Sequence, residues 1–256
     1  MRILFIGDII GKLGRQIVLG LLPQLLEEYQ VDLVLANGEN AAGGFGITPS
    51  VAAELFALGI DLLTSGNHIW DRKEVEQFIQ AEPRLLRPAN YPPEAPGSGV
   101  YLVKRNGPPL GILNLQGRVF MPTIDCPFKV GEREVVSLKE KTNIIIVDFH
   151  AEATSEKAAF AWYFDGQVSA IIGTHTHVQT ADERILPRGT AFITDVGMTG
   201  SRDSVIGMVK EEAIQKFLTQ MPKKFKAATG SPQFNGVLVE VDEGSGKAMS
   251  IIRLRL

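Results

Sequence analysis

Arg2-Ile3-Leu4-Phe5-Ile6-Gly7-Asp8, read together with Gly11 to Gln30, decides the fold class. Arg2 to Ile6 is a short apolar run of β-forming residues that stops at a glycine and a carboxylate. Gly11 to Gln30 then carries Ile17, Leu19, Leu21, Leu22, Leu25 and Leu26 at helical spacing. The unit is strand, polar turn, helix, and it recurs. A strand over Asp32 to Ala36 leads to a helix over Pro49 to Leu58, and a strand over Asp61 to Thr64 leads to a helix over Arg72 to Gln80. Strands alternating with helices call for parallel pairing through right-handed crossovers, hence an α/β fold.

Arg87 to Pro127 changes texture, to Pro/Gly-rich loops around strands at Gly99 to Lys104 and Leu110 to Leu115. Neither flank holds a complete set of polar site residues, so residues 1–256 read as one domain with a second sheet. No element is assigned between Pro127 and Asn143. Asn143 to Phe149 reads as a strand, Thr154 to Phe164 as a helix with Thr154 at its N-cap, and Val168 to Gly173 as a strand. Short strands at Glu183 to Ile185 and Thr190 to Thr194, a helix over Lys210 to Leu218, and a hairpin of Gly236 to Val241 with Met249 to Leu254 complete the chain.

Composition removes several classes of function. A chain of 256 residues that is 45% hydrophobic can bury a large core, and a net charge of −3 gives no basic footprint for broad nucleic-acid binding. A nucleotide-sized substrate stays open. The single Cys126 excludes an intrachain disulfide and a Cys-rich zinc module, and reads as a small loop residue. The N-terminal apolar run is too short for a signal peptide and no stretch is long enough to span a membrane, so the expected compartment is the cytoplasm. The sequence leaves a homo-oligomer open.

All four histidines, His68, His150, His175 and His177, follow apolar runs in short polar segments, and so do Asp8, Glu39, Asn40 and Asn67. Carboxyl ends of parallel strands share one edge of a sheet, so these residues are expected to converge there as a metal centre. In extended chain His175 and His177 point the same way. Carboxylate, amide and imidazole donors without a thiolate suit manganese, iron or zinc in a catalytic site, and seven or eight ligands fit two ions with a shared carboxylate. Two divalent ions, two carboxylates and a bridging hydroxide leave one net positive charge. That residue of charge matches the monoanion of a phosphodiester, and two-metal sites clamp the attacking and leaving oxygens of such a group.

The ordered series Gly7-Asp8, Gly38-Glu39-Asn40, Gly66-Asn67-His68, His150 and Thr174-His175-Thr176-His177 resembles the motif set of the binuclear metallophosphoesterases. More narrowly it resembles the YmdB-like phosphodiesterase branch, through Met1 to Arg15, Asn37 to Gly46, Gly66 to Glu74, His150 to Lys157, Gly173 to Val178 and Thr194 to Gly200. The resemblance implies a four-layer α/β/β/α sandwich of two mixed sheets flanked by helices. It also implies two metal ions, iron or manganese before zinc, and a cyclic-nucleotide substrate with the 2',3' and 3',5' forms both open. One ion would take Asp8, Glu39, Asn40 and His177, and the other Glu39, Asn67, His150 and His175. Attack would come from a hydroxide bridging the ions, and His68 would protonate the leaving oxygen as general acid. Two positions depart from the wider superfamily: Ile10 stands where a histidine is usual, and Glu39 where an aspartate is.

Outside this set, Gly43 to Gly46 reads as a loop at the rim, and Asp195 to Gly200 as a loop beneath the metals in which Thr199 stands as a candidate substrate contact. Glu152 and Lys157 read as serving the helix start and surface pairing. Two other readings fit: a phosphomonoesterase or protein phosphatase, and a nucleotide- or RNA-linked regulatory protein with secondary hydrolysis.

Overall fold

In strand β1 (Arg2–Ile6) successive side chains serve different layers: Leu4 and Ile6 pack on helices, while Ile3 and Phe5 pack on a second sheet. Alternation across a strand lets one apolar run cover both faces, and each large side chain fully removed from water contributes roughly 1.5–3 kcal/mol. The computed structural model describes residues 1–105 and 107–256. After β1 come β2 (Asp8–Ile9), α1 (Gly11–Tyr29), β3 (Leu33–Asn37), α2 (Pro49–Ala57), β4 (Leu62–Thr64), α3 (Val75–Ala81), β5 (Val100–Arg105) and β6 (Gly107–Gln116). Then follow α4 (Pro127–Lys139), β7 (Ile144–His150), α5 (Thr154–Phe164), β8 (Ala170–Thr174), β9 (Arg184–Ile185), β10 (Ala191–Ile193) and β11 (Met198–Ser201). The chain closes with α6 (Lys210–Thr219), β12 (Pro232–Gln233), β13 (Asn235–Val241) and β14 (Ala248–Arg255).

The first sheet is ordered β14-β13-β1-β3-β4, with β1, β3 and β4 parallel and the closing hairpin antiparallel. The second is ordered β5-β6-β7-β8-β10-β9, with β6, β7, β8 and β10 parallel and antiparallel edges. Helices α1 to α3 cover one outer face and α4 with α5 the other, while the inner faces meet through Phe5, Leu35, Ile112, Ile146 and Ile172. The layers are the expected α/β/β/α sandwich. Among the described residues no helix is long and apolar enough to cross a membrane.

Several elements are absent from the sequence reading. Helix α4 buries Val130, Val135 and Leu138 on one face, but charged residues and Gly131 at mid-helix blur its period. That glycine is a packing requirement, since a Cβ there would lie 2.9 Å from the Phe164 ring. The short strands β2, β11 and β12 form a third sheet that only long-range pairing creates. The expected helix over Arg72 to Gln80 is α3, which starts three residues later at Val75 and is preceded by a 3-10 turn, Ile69–Asp71. The expected cap on α5 is corrected too. Ala153 occupies the cap position without a side-chain bond, and Glu156 accepts the N–H groups of Arg118 and Val119.

Candidate metal centre

The parallel strands deliver their polar residues to one edge. After β1 the chain passes Gly7, where a Cβ would sit 2.1 Å from the Gly197 carbonyl oxygen, and Asp8 opens β2 beside Met198 of β11. Glu39 and Asn40 follow β3, Asn67 and His68 follow β4, His150 ends β7, and His175 and His177 follow β8. Asp8, Glu39, Asn40 and His150 are buried.

One half of the centre gathers on His150. Its Nε2 lies 3.1 Å from Glu39 Oε1, 3.0 Å from Asn67 Oδ1 and 3.1 Å from His175 Nδ1. Ligands ~2.1 Å from one ion at near-right angles stand ~3.0 Å apart, so this spacing is that of a coordination shell. A single ring N–H cannot satisfy three such neighbours, whereas a cation can. Glu39, His150 and His175 offer ligand atoms all within 4.8 Å of one another. The close approach requires Gly66, since a Cβ there would lie 2.1 Å from His150 Nε2.

Electrostatics point the same way. Burial opposes charge on His150, yet Glu39 and then Asp8 outweigh it and raise the imidazole to about 9. Burial also opposes ionisation of Glu39, and His150 overcomes it and holds the carboxyl at about 2. Burial and then the neighbouring His150 push His175 down to about 3. A pocket that draws a proton this strongly onto a buried ring is electronegative and suited to a cation.

The other half gathers on Asp8. Its Oδ1 is buried without a hydrogen-bond partner, and burial pushes the carboxyl up to about 6. His177 Nε2 lies 3.7 Å from that oxygen and 3.2 Å from Asn40 Nδ2. Asn40 Nδ2 also lies 3.2 Å from Glu39 Oε1, so Glu39 Oε1 stands between the halves. Asn40 thus turns its amide nitrogen to the centre, and a half-turn of the amide brings Oδ1 there instead. Ile10, which the resemblance sets in the place of a histidine, is buried among Met198, Met208 and Phe45. An orphaned buried carboxylate oxygen, facing a carboxylate, an amide and an imidazole, fits a divalent ion.

His175 and His177 do not leave β8 in extended chain. Their φ values are 98° and 65°, which turns them apart: His175 reaches His150, and His177 reaches Asp8. Both sit in the left-handed region that non-glycine residues avoid, so neighbouring contacts must hold them. Lys157 does so. It is fully buried and donates to Thr174 O and to Asp195 Oδ2, each at 2.7 Å, while Asp195 accepts the N–H groups of Thr176 at 3.0 Å and Gly197 at 2.8 Å. The expectation of surface pairing for Lys157 is thereby corrected.

Glu152 is also more than a helix-start charge, because its Oε2 lies 3.1 Å from His175 Nε2 and leaves Nδ1 turned inward. His150 is oriented similarly. Its Nδ1 meets Thr174 Oγ1 at 2.9 Å, and that hydroxyl donates to buried Asp148 at 2.7 Å. Such outer partners fix ring orientation and tautomer. Asp148 also accepts from Thr64 and Asn37. The sequence signal for this residue is a carboxylate inside an apolar strand two residues before His150, which marks no ligand position because it is not at the strand end. Thr199 is corrected as well: it is buried in β11 with its hydroxyl on Asn235 O and does not line the cavity over the site.

His68 stands at the mouth. Asp71 Oδ2 engages its Nδ1 at 2.9 Å, its backbone N–H donates to Glu39 Oε2 at 3.1 Å, and the Phe45 ring meets it edge-on at 5.3 Å. The rim loop is pinned by Arg72, which donates to Ala42 O and Phe45 O. A cavity of about 450 Å³ opens above Glu39, Asn40, His68, His175 and His177.

The family model for YmdB-like proteins matches residues 4–254. The chain belongs to the YmdB-like family. A relative from Bacillus subtilis (strain 168), a 2',3'-cyclic-nucleotide 2'-phosphodiesterase, is 49% identical over 254 residues, covering 99% of this chain and 96% of its own. A solved structure of a protein from Thermus thermophilus superposes with a TM-score of 0.94 at 43% identity, covering 100% of this chain and 99% of that one. A structure described as a novel phosphatase from Mycoplasma pneumoniae gives 0.94 at 38% identity, over 100% and 93% of the two chains. These relatives carry the names phosphodiesterase and phosphatase and share the metallophosphoesterase-type fold, which supports the chain being a hydrolase.

Proposed function

We propose that this protein is a two-metal phosphodiesterase acting on cyclic nucleotides, with the 2',3'-cyclic phosphate as its first substrate class. The observation that carries the reading is the convergence of Glu39, Asn67, His175 and His150 at 3.0–3.1 Å beside the unpartnered Asp8 oxygen. The Bacillus subtilis relative, named for 2',3'-cyclic nucleotides, supports the substrate class. Asp8, Glu39, Asn40 and His177 would hold one ion, and Glu39, Asn67, His150 and His175 the other. Bound divalent ions supply Lewis acidity to the phosphate oxygens and lower the pKa of a bound water. Iron and manganese suit this nitrogen–oxygen set, and zinc also accepts it.

The chain's own residues do the rest. Asp71 holds Nδ1 of His68, so Nε2 is the nitrogen left to give a proton to the departing ribose oxygen. The backbone N–H of His68 holds Glu39 Oε2 and keeps the general acid in register with the shared carboxylate. Phe45 and the Arg72-pinned loop shield that proton transfer from one side. We also hold residues 1–256 to be one domain, since each sheet supplies half of the site.

Metal-reconstituted protein is expected to hydrolyse a 2',3'-cyclic nucleotide, and His68→Ala to retain its metal while losing roughly 10²–10⁴-fold in kcat. Metal content by plasma emission and turnover on one preparation check both. Unchanged turnover in His68→Ala removes the general-acid role. Faster turnover of a phosphomonoester than of any diester makes the protein a phosphatase instead.

A further inference from the structure

The cavity above the metal centre has two unlike walls. One carries the ligand candidates and His68; the other is built from Ile206, Met208, Phe217, Phe225 and the stem of Lys216, contributed by α6 and the segments flanking it. The phosphate needs only the first wall. The second is apolar and aromatic, and the ammonium of Lys216 stands 4.9 Å over the Phe225 ring. Phe217 is 72% exposed although it lines a cavity, so a large flat apolar surface faces water beside a phosphoester site. An apolar patch of this kind beside polar groups in one cavity marks a ligand-binding surface. A space of about 450 Å³ lies in the range of small-molecule sites, with room beyond the diester for a ring system.

The geometry points to a nucleobase seat: Phe217 and Phe225 carry the base of the substrate by stacking and apolar contact while its cyclic phosphate lies at the metal centre. This rests on the phosphodiesterase reading and adds the residues that recognise the leaving side of the substrate. Stacking needs only a π-face, and Lys216 is the charged side chain on this wall. The seat therefore favours nucleosides over base-free sugars, and larger rings over smaller ones, with little discrimination between bases of one size. The occupant is a nucleobase because this wall is continuous with the phosphate site in one cavity.

The test compares kcat/KM of metal-loaded protein on adenosine 2',3'-cyclic phosphate, its uridine counterpart and the 2',3'-cyclic phosphate of methyl riboside, which has no base. In Phe217→Ala the adenosine-to-methyl-riboside ratio should fall roughly 5- to 100-fold, through KM on adenosine, with a smaller fall for uridine. Phe217 is exposed, so its truncation does not threaten folding, and Phe225→Leu should move the ratio in the same direction. Leu218→Ala, 80% exposed on the same helix and outside the cavity lining, should keep the wild-type ratio. A wild-type protein that turns over all three substrates equally overturns the base seat and leaves the phosphodiesterase reading standing. An unchanged ratio in both phenylalanine variants does the same. A wild-type protein that turns over none of the three overturns both readings.

Discussion

The half of the centre built on His150 has its central residue at the end of a seven-residue strand, whereas the half built on Asp8 starts from a two-residue strand. His150 ends β7 inside the six-stranded sheet, paired in register with Gln116 and Thr174, and its neighbours close to 3.0–3.1 Å. Asp8, Asn40 and His177 lie on a two-residue strand and on loops, and their spacing opens to 3.2–3.7 Å. Ile10 adds no imidazole there. Ladder hydrogen bonds fix a strand-end side chain far more tightly than a loop fixes its own. The comparison teaches that the His150 half is the more tightly gathered, so that a cation in the Asp8 half would have more to draw together.

The largest effect is expected where the halves meet. Glu39→Gln removes the carboxylate between them, and turnover of a cyclic nucleotide should fall roughly 10³-fold or more, with both ions lost by elemental analysis. One ion retained at full occupancy would show that Glu39 serves one half only. Next comes the clamp that both halves share. Lys157→Met strands Asp195 as an unpaired buried charge and should lower stability by about 3–5 kcal/mol in chemical denaturation. Adding Asp195→Leu should not restore it, because the Thr176 and Gly197 N–H groups then lose their acceptor; full recovery would make the pair a packing feature unrelated to the histidine loop. The smallest and most discriminating effect separates the halves directly. His177→Ala should keep about one ion per chain, whereas His150→Ala should keep neither tightly, since the side chain on which Glu39, Asn67 and His175 gather is gone. Equal ion counts in the two variants would break the comparison.

Legibility in the sequence follows the range of the interactions involved. The first strand–turn–helix unit is readable because apolar periodicity over Arg2 to Gln30 is local. Helix α4 escapes that reading because Gly131, a poor helix former, is set by contact with Phe164. At the centre, the eight polar positions are readable by residue type and by their place after apolar runs. Their supporting groups are less so: Asp71, Glu152 and Asp148 are ordinary carboxylates until a ring nitrogen or hydroxyl stands beside them.

The sequence by itself determined the alternation of strands and helices and the kinds of atom that meet at the sheet edge, because side-chain chemistry and local period are written residue by residue. Only the tertiary structure decided that Lys157 is buried, that His175 and His177 turn apart through positive φ, and that an aromatic wall faces the candidate metal centre. Those outcomes depend on contacts between residues tens to more than a hundred positions apart, whose burial sets the cost of a charge and the tolerance of a strained backbone.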